Sequence, residues 1–281
     1  DAYMSQYLLE AIRWMGAYGV PVIILSATLP AQQREKLIKS YMAGMGVKWR
    51  DIENIDQIKI DAYPLITYND GPNIHQVKTF EKQEQNNIYI HRLPEEQLFD
   101  IVKEAIDNGG VVGIIVNTVR KSQELARNFS DIFGDDMVNL LHSNFIATER
   151  IRKEKDLLQE IGKKAMRPPK KIIIGTQVIE QSLDIDFDYL FTELQDLNSL
   201  FQRFGRCNRK GKKSVDEANC FIYLKIEDKY LKEKGSKYGF IDKDIYENSK
   251  KGLENYCEVV SKDEIENSND YNDLFKNYFR F

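Results

Sequence analysis

What this 281-residue chain has little of narrows its function before any motif is read. Its three cysteines, Cys207, Cys220 and Cys257, are odd in number and nowhere spaced C-x-x-C. That argues against a disulfide framework and against a zinc ribbon, and leaves three reduced thiols. No apolar run approaches the roughly 20 residues of a membrane span, and no charged-then-apolar leader opens the chain, so a soluble, cytoplasmic protein with no membrane partner is expected. An excess of positive charge is also missing. With a formal net charge of -4, bulk attraction cannot coat the protein with nucleic acid, and any such binding must be local. A phosphate loop of the form G-x-x-x-x-G-K-[ST] is absent too: Gly211-Lys212-Lys213-Ser214 lacks the spacing and follows a helical pattern instead of a strand.

What is present suits a globular protein. Hydrophobic residues make up 42% and charged residues 30%, enough to bury one substantial core and a smaller appendage. Basic residues gather at 150–155, 163–171 and 209–213, while the chain beyond 226 is rich in Asp and Glu. Each basic cluster reads equally as a solvated face or a phosphate track. The chain opens at Asp1 inside a helical pattern, with Met4, Leu8, Ala11, Ile12 and Met15 on one stripe, as expected of a piece of a longer protein.

Along the chain, 20–25 reads as a buried strand ending in Ser26-Ala27-Thr28, and 31–42 as a helix with Pro30 at its start. The pattern loosens over 46–93 into a connector with short strands at 57–60 and 65–68 and a turn at Asn69-Asp70-Gly71-Pro72. Beyond 94 elements alternate: helix 95–108, strand 111–116, helix 121–133, strand 137–141, helix 148–161, strand 171–174, short helix 178–182, strand 189–194, helix 197–207 and strand 218–224. Strands apolar throughout and separated by helices predict an α/β fold, a doubly wound parallel sheet covered on both faces. The expected organisation is 1–45, 46–93, 94–226, and a helical acidic appendage over 227–281 whose Tyr271, Phe275, Tyr278 and Phe279 recur at helical spacing. In such sheets ligands gather beyond the carboxyl ends of the strands, so chemistry is sought there.

Three segments stand out. In Gln202-Arg203-Phe204-Gly205-Arg206-Cys207-Asn208-Arg209, Arg206 and Arg209 are three apart, which on a helix places both guanidinium groups on one side. Two permanent planar cations suit a triphosphate, although a plain basic surface helix is the alternative. In Gly175-Thr176-Gln177-Val178-Ile179-Glu180-Gln181-Ser182-Leu183-Asp184-Ile185-Asp186-Phe187-Asp188, a strand ends and a helix begins. Free amides there and the Thr176 hydroxyl can hold a backbone phosphate without net charge. Asp184 can accept from a ribose hydroxyl, while Asp186 and Asp188 are expected to face solvent or cap a turn. Ser26-Ala27-Thr28 gains weight only from its place in the series.

That series, Ser-Ala-Thr, Val-Asn-Thr, His-Ser, Gly-Thr-Gln with Ser-Leu-Asp-Ile-Asp, and Gln-Arg-Phe-Gly-Arg-Cys-Asn-Arg, resembles motifs III to VI of superfamily two helicases. Within them it is most similar to the helicase part of the type I CRISPR-associated helicase-nucleases, over about residues 1–225. The resemblance implies a RecA-like second helicase lobe without the phosphate loop, with the end of a first lobe before it. It implies that Ser26 and Thr28 couple hydrolysis to movement, that Thr118, Ser143 and Thr176 contact the nucleic-acid backbone, and that Asp184, Gln202, Arg206 and Arg209 face ATP, with Gln202, Arg206 and Arg209 in the catalytic set. Magnesium would be held by the missing first lobe. The chain departs from the family at Gln195-Asp196-Leu197-Asn198, where a proline and an acid are usual. Nor do His75, His91 and His142 form the His-Asp pairs of the family's nuclease; they read as structural or surface residues, and no metal site is expected. The implied partners are single-stranded DNA, the first lobe and nuclease domain of the same protein, and a CRISPR RNA-guided surveillance complex. An RNA-dependent helicase and a non-catalytic nucleic-acid-binding scaffold are the alternatives. The isolated chain is expected to lack both ATPase and nuclease activity.

Overall fold

The computed structural model describes residues 2–26, 29–52, 62, 64–80, 87–162, 165–181, 184–208, 219–223, 231–233, 241–254, 258–259 and 278–280. The chain forms two units, Asp1–Gln83 and Glu84–Phe281.

In the first unit α1 (Ala2–Ala17) packs on α2 (Ala31–Gly44). The Ser40 hydroxyl donates to the Leu9 carbonyl and that of Tyr41 to the carbonyl of Val20. A hairpin follows, β1 (Ile66–Asp70) against β2 (Asn73–Val77), with Asp70 opposite Asn73. Its two-residue turn is Gly71-Pro72, and Gly71 takes φ +55, a sign that side-chain-bearing residues rarely adopt. The turn falls where the sequence places it, whereas the expected strand at 57–60 lies outside the described residues. The apolar run 20–25 is not a strand. No described strand pairs with it, and Leu25 is 91% exposed. A strand is defined by its ladder partners, and apolar character cannot supply them.

The second unit runs β3 (Asn87–Leu93), a single 3-10 turn (Glu95–Gln97), α3 (Leu98–Asp107), β4 (Gly110–Ile115), α4 (Val119–Phe133), β5 (Val138–Leu141), α5 (Ala147–Ile161), β6 (Lys170–Gly175), α6 (Val178–Gln181), β7 (Tyr189–Glu193), α7 (Leu197–Phe204) and β8 (Asn219–Tyr223). Beyond these come β9 (Leu231–Lys232), β10 (Ile241–Asp242), α8 (Lys243–Glu254), β11 (Glu258–Val259) and β12 (Tyr278–Arg280). Among the described residues one sheet has eight strands, in the order β11-β3-β8-β7-β4-β6-β5, with β12 also on β3. Every pair is parallel except β12 with β3. The expected doubly wound α/β sheet is therefore present. β3, inside the stretch read as connector, is one of its strands. Tyr278 and Phe279 lie on a strand, not on a helix: β12 finds ladder partners on β3, and sheet pairing overrides a helical spacing of aromatics.

Alternation along the strands builds two cores. Val111 and Ile115 turn to one face with Ile173, Leu190 and Ile222, and are covered by Leu157 of α5, Ile179 of α6, Leu200 and Phe204 of α7 and Tyr246 of α8. Val112, Ile114 and Val116 turn to the other with Ile172, Ile174 and Phe191, under α3 and Phe129 of α4. Each fully buried aliphatic side chain contributes about 1.5–3 kcal/mol. The choice of faces follows from connection handedness. The steps β3 to β4 and β4 to β5 run one way along the sheet; those to β6, β7 and β8 run back. Right-handed crossovers then put α3 and α4 on one face and α5, α6 and α7 on the other. Beside β4 neighbouring connections leave to opposite faces, the position at which such sheets bind ligands beyond the carboxyl ends of the strands.

Candidate nucleotide and nucleic-acid edge

Parallel pairing gathers the ends of β4, β5, β6 and β7 on one edge. Ile115 of β4 and Leu141 of β5 both stand opposite Gly175, and Ile115 also faces Thr192 of β7. Adjacent strands lie about 5 Å apart, so the residues just beyond these ends form a short row. Pairing continues one residue further: the Val116 amide donates to the Gly175 carbonyl and the Thr176 amide to that of Leu141. The row includes Thr118, Ser143 and Thr176. Ser143 is exposed and Thr176 buried. The Thr118 hydroxyl caps α4 by accepting from the Lys121 amide at 3.2 Å, in the extended conformation that an N-cap favours.

The helix after Thr176 is short, as the sequence reads it: α6 is described over Val178–Gln181. α6 is a single turn, so its dipole adds little to the pull of local amides on a phosphate. Its anchor is a polar network that motif reading missed. Arg203 on α7 is 0% exposed. Its Nε donates to Glu180 Oε1 at 2.7 Å, Nη1 to Thr192 Oγ1 at 2.7 Å and to the Glu193 carbonyl at 3.0 Å, and Nη2 to Asn117 Oδ1 at 3.1 Å. Asn117 in turn donates through its side chain to the Leu194 carbonyl and through its amide to Glu193 Oε2. Lys121 pairs with Glu193 at 2.8 Å and with Glu95. Burial pushes the Glu180 carboxyl above its ordinary pKa, and the Arg203 guanidinium offsets only part of this. Burial also disfavours the Lys121 charge, yet Glu193 and Glu95 outweigh it and its pKa stands above the ordinary lysine value. A signal for this network does exist in the sequence: Arg203 falls between Leu200 and Phe204 on the apolar face of α7, and Glu180 follows buried Ile179.

Arg206 lies beyond the helix. α7 ends at Phe204, because the Phe187 amide donates to the Arg206 carbonyl at 2.7 Å and the Asn208 amide to the Phe187 carbonyl at 3.0 Å. These bonds pull 206–208 into a parallel bridge, and Asn208 adopts φ +49. The helical argument for Arg206 and Arg209 sharing a side is thereby corrected. Arg209 itself, like Thr28, lies outside the described residues. Arg206 is half-buried, and its Nη2 donates to the Glu180 carbonyl at 2.6 Å. Gln202 and Asp184 are exposed, as is Ser26 in the first unit.

Asp186 and Asp188 do not face solvent. Each is 5% exposed. Asp188 takes Arg167 at 2.8 Å on one oxygen and the Val111 amide at 2.7 Å on the other, and Arg167 also reaches Asp186 at 3.4 Å. They tie the amino end of β4 to the segment entering β6, the opposite edge from the row. Between them Phe187 packs over Gly113, where a Cβ would come within 2.7 Å of its ring. His142 is buried, stacked on Phe145 with centroids 4.1 Å apart, and its Nε2 is 3.2 Å from Gln123 Nε2. Burial pushes its imidazole below the ordinary value; Lys153 adds to that, while a backbone hydrogen bond and Glu149 oppose it. His91 stacks on Phe221 and His75 on Tyr68. Cys207 and Cys220 are buried and not disulfide-bonded. Among the described residues no group of three or more His, Cys, Asp or Glu could hold a metal ion, and no helix is long and apolar enough to cross a membrane.

Residues 108–212 match the family described as CRISPR-associated nuclease/helicase Cas3, C-terminal. The CRISPR-associated nuclease/helicase Cas3 of Streptococcus thermophilus is 90% identical over 209 residues, covering 74% of this chain and 23% of that protein. The corresponding endonuclease/helicase of Escherichia coli is 31% identical over 225 residues, covering 76% and 24%. The chain thus spans about a quarter of the length of these relatives. Among solved structures, T. fusca Cas3-ATP aligns with a TM-score of 0.68 at 25% identity, over 82% of this chain and 29% of that one, and shares the RecA-like sheet. By these likenesses the chain belongs to the CRISPR-associated nuclease/helicase family, over the C-terminal part of its helicase.

Proposed function

We propose that the chain is part of an ATP-dependent DNA helicase or translocase of CRISPR antiviral defence, and that it supplies the second motor lobe. The observation that carries this reading is the common edge. Parallel register brings the residues after β4, β5 and β6 into one row, and Glu180, four residues beyond Thr176, holds the guanidinium of Arg206.

The donor set fits a nucleotide bound chiefly by another lobe. Half-buried Arg206 offers N–H groups to phosphate oxygens, and exposed Gln202 and Asp184 suit the nucleotide's polar and ribose groups. No phosphate-cradling loop exists in the sequence. Arg206 and Arg209 therefore act from across the cleft, while the first lobe holds the phosphates and Mg(II). ATP when bound supplies the phosphoryl group whose loss drives the cycle. Thr118, Ser143 and Thr176 hold the backbone of single-stranded DNA, and Ser26 and Thr28 couple the two events. The partners are the first lobe and nuclease domain of the same protein and an RNA-guided surveillance complex, in the cytoplasm.

The test uses the full-length protein carrying this chain. Arg206→Ala is expected to leave binding of a single-stranded DNA oligonucleotide within a few-fold of wild type and to lower ATP turnover by about a thousandfold. Unchanged turnover would remove the assignment. Stimulation by RNA and not DNA would move it to an RNA helicase. The isolated chain should fold and show negligible ATPase activity.

A further inference from the structure

We infer that Arg203 and Glu180 are a positioning pair that couples the strand-contacting row to the nucleotide-facing Arg206. The inference rests on the proposed motor reading and deepens it. Arg203 itself touches no nucleotide, because it is fully buried and has four hydrogen bonds to protein acceptors from its five N–H groups.

Those acceptors come from three segments besides its own helix. Asn117 immediately precedes Thr118, Thr192 and Glu193 end β7, and Glu180 lies on α6. Glu180 then has two attachments: its carboxylate takes Arg203, and its main-chain carbonyl takes Arg206. Between Thr176 and Glu180 the chain is one hydrogen-bonded turn, with Ile179 N donating to the Thr176 carbonyl and Glu180 N to that of Gln177, both at 3.0 Å. A displacement of Thr176 by a polynucleotide is thus carried to Glu180 and on to Arg206, while the Arg203 fork keeps α6 in register with Asn117 and β7.

A wish for stability alone does not explain the pair. A buried ion pair is about neutral or worse against apolar residues of the same volume, so its value lies in fixing one geometry. Lysine cannot replace it, since a single ammonium lacks the planar fork that reaches acceptors on three segments.

The experiment measures ATP turnover of the full-length protein with and without oligo-dT, the Kd for oligo-dT, the KM for ATP and thermal unfolding, in wild type, R203K, E180Q and T192V. Thr192→Val is nearly isosteric and removes one acceptor of Arg203 while sparing both ion-pair partners. The expected result is a Kd and KM within about threefold of wild type, with DNA-stimulated kcat lower by at least about tenfold in R203K and E180Q and about threefold in T192V. The ratio of stimulated to unstimulated turnover falls with it. Folded variants whose ratio stays within about twofold of wild type would overturn the pairing role. So would stimulated and unstimulated rates falling together in proportion to the folded fraction, which marks a purely structural part. T192V keeps the test decisive if the charged variants do not fold. Absence of DNA stimulation in the wild type would instead sink the motor reading itself.

Discussion

Arg203 Nε donates to Glu180 Oε1 over 2.7 Å, and both side chains are buried. Removing one partner leaves the other charge uncompensated in a low-dielectric interior. Glu180→Ala should therefore cost about 3–5 kcal/mol, and adding Arg203→Met should recover part of the loss. Urea unfolding of the single and double variants checks this. A double-variant loss equal to the sum of the losses of Glu180→Ala and Arg203→Met measured singly would show that the pair is not energetically linked.

Thr118 has a structural job and, on the proposed reading, a second one at the DNA backbone. As the N-cap of α4 it accepts from Lys121 N, so Thr118→Ala should cost about 1 kcal/mol and Thr118→Asp almost nothing, because aspartate caps equally well. If the same position also meets a DNA backbone, Thr118→Asp should weaken DNA binding by charge repulsion without loss of stability. Denaturant midpoints and anisotropy titrations read the two effects independently.

Asp188 accepts the Val111 amide at the amino end of β4. Asp188→Ala leaves that buried donor without this acceptor and should destabilise the lobe by about 1–3 kcal/mol. Its distance from the row predicts little change in DNA affinity of the folded fraction. A large affinity loss with unchanged stability would contradict the structural role.

His142 gives a pH dependence of known sign. Its folded pKa is below the ordinary 6.5, so under acid conditions the unfolded chain binds the proton more readily than the folded one. Its contribution is complete above pH 6.5 and is lost as pH falls through the window beneath it. His142→Gln should flatten the stability profile relative to wild type in that window, as read by thermal unfolding from pH 7.5 down to about 5.5. Parallel profiles would mean that the imidazole is not held neutral by its burial.

The alternation of apolar strands and helices from 94 onward, with the start of α7 at 197, was legible because local propensity and burial agree there, whereas α4 begins at Val119, two residues before the expected 121. The candidate row was legible too, since residues after parallel strands must share an edge. By contrast, 20–25 has the composition of a strand but no described strand partner, and Tyr278 and Phe279 have helical spacing but pair with β3. Arg206 leaves the helix because Phe187, nineteen residues earlier, competes for its backbone.

By itself the sequence determined which segments repeat as strand and helix, and which residues stand just beyond the strand ends. Those follow from short-range periodicity and from the chirality of parallel connections. Only the tertiary structure decided that Asp186 and Asp188 are buried clamps, that Arg203 is an interior anchor while Arg206 stays at the edge, and that Glu258–Val259 and Tyr278–Arg280 pair with β3. Each of these depends on which polar groups meet when distant segments pack. A buried charge is tolerated only where its partners converge, and no spacing along the chain records that convergence.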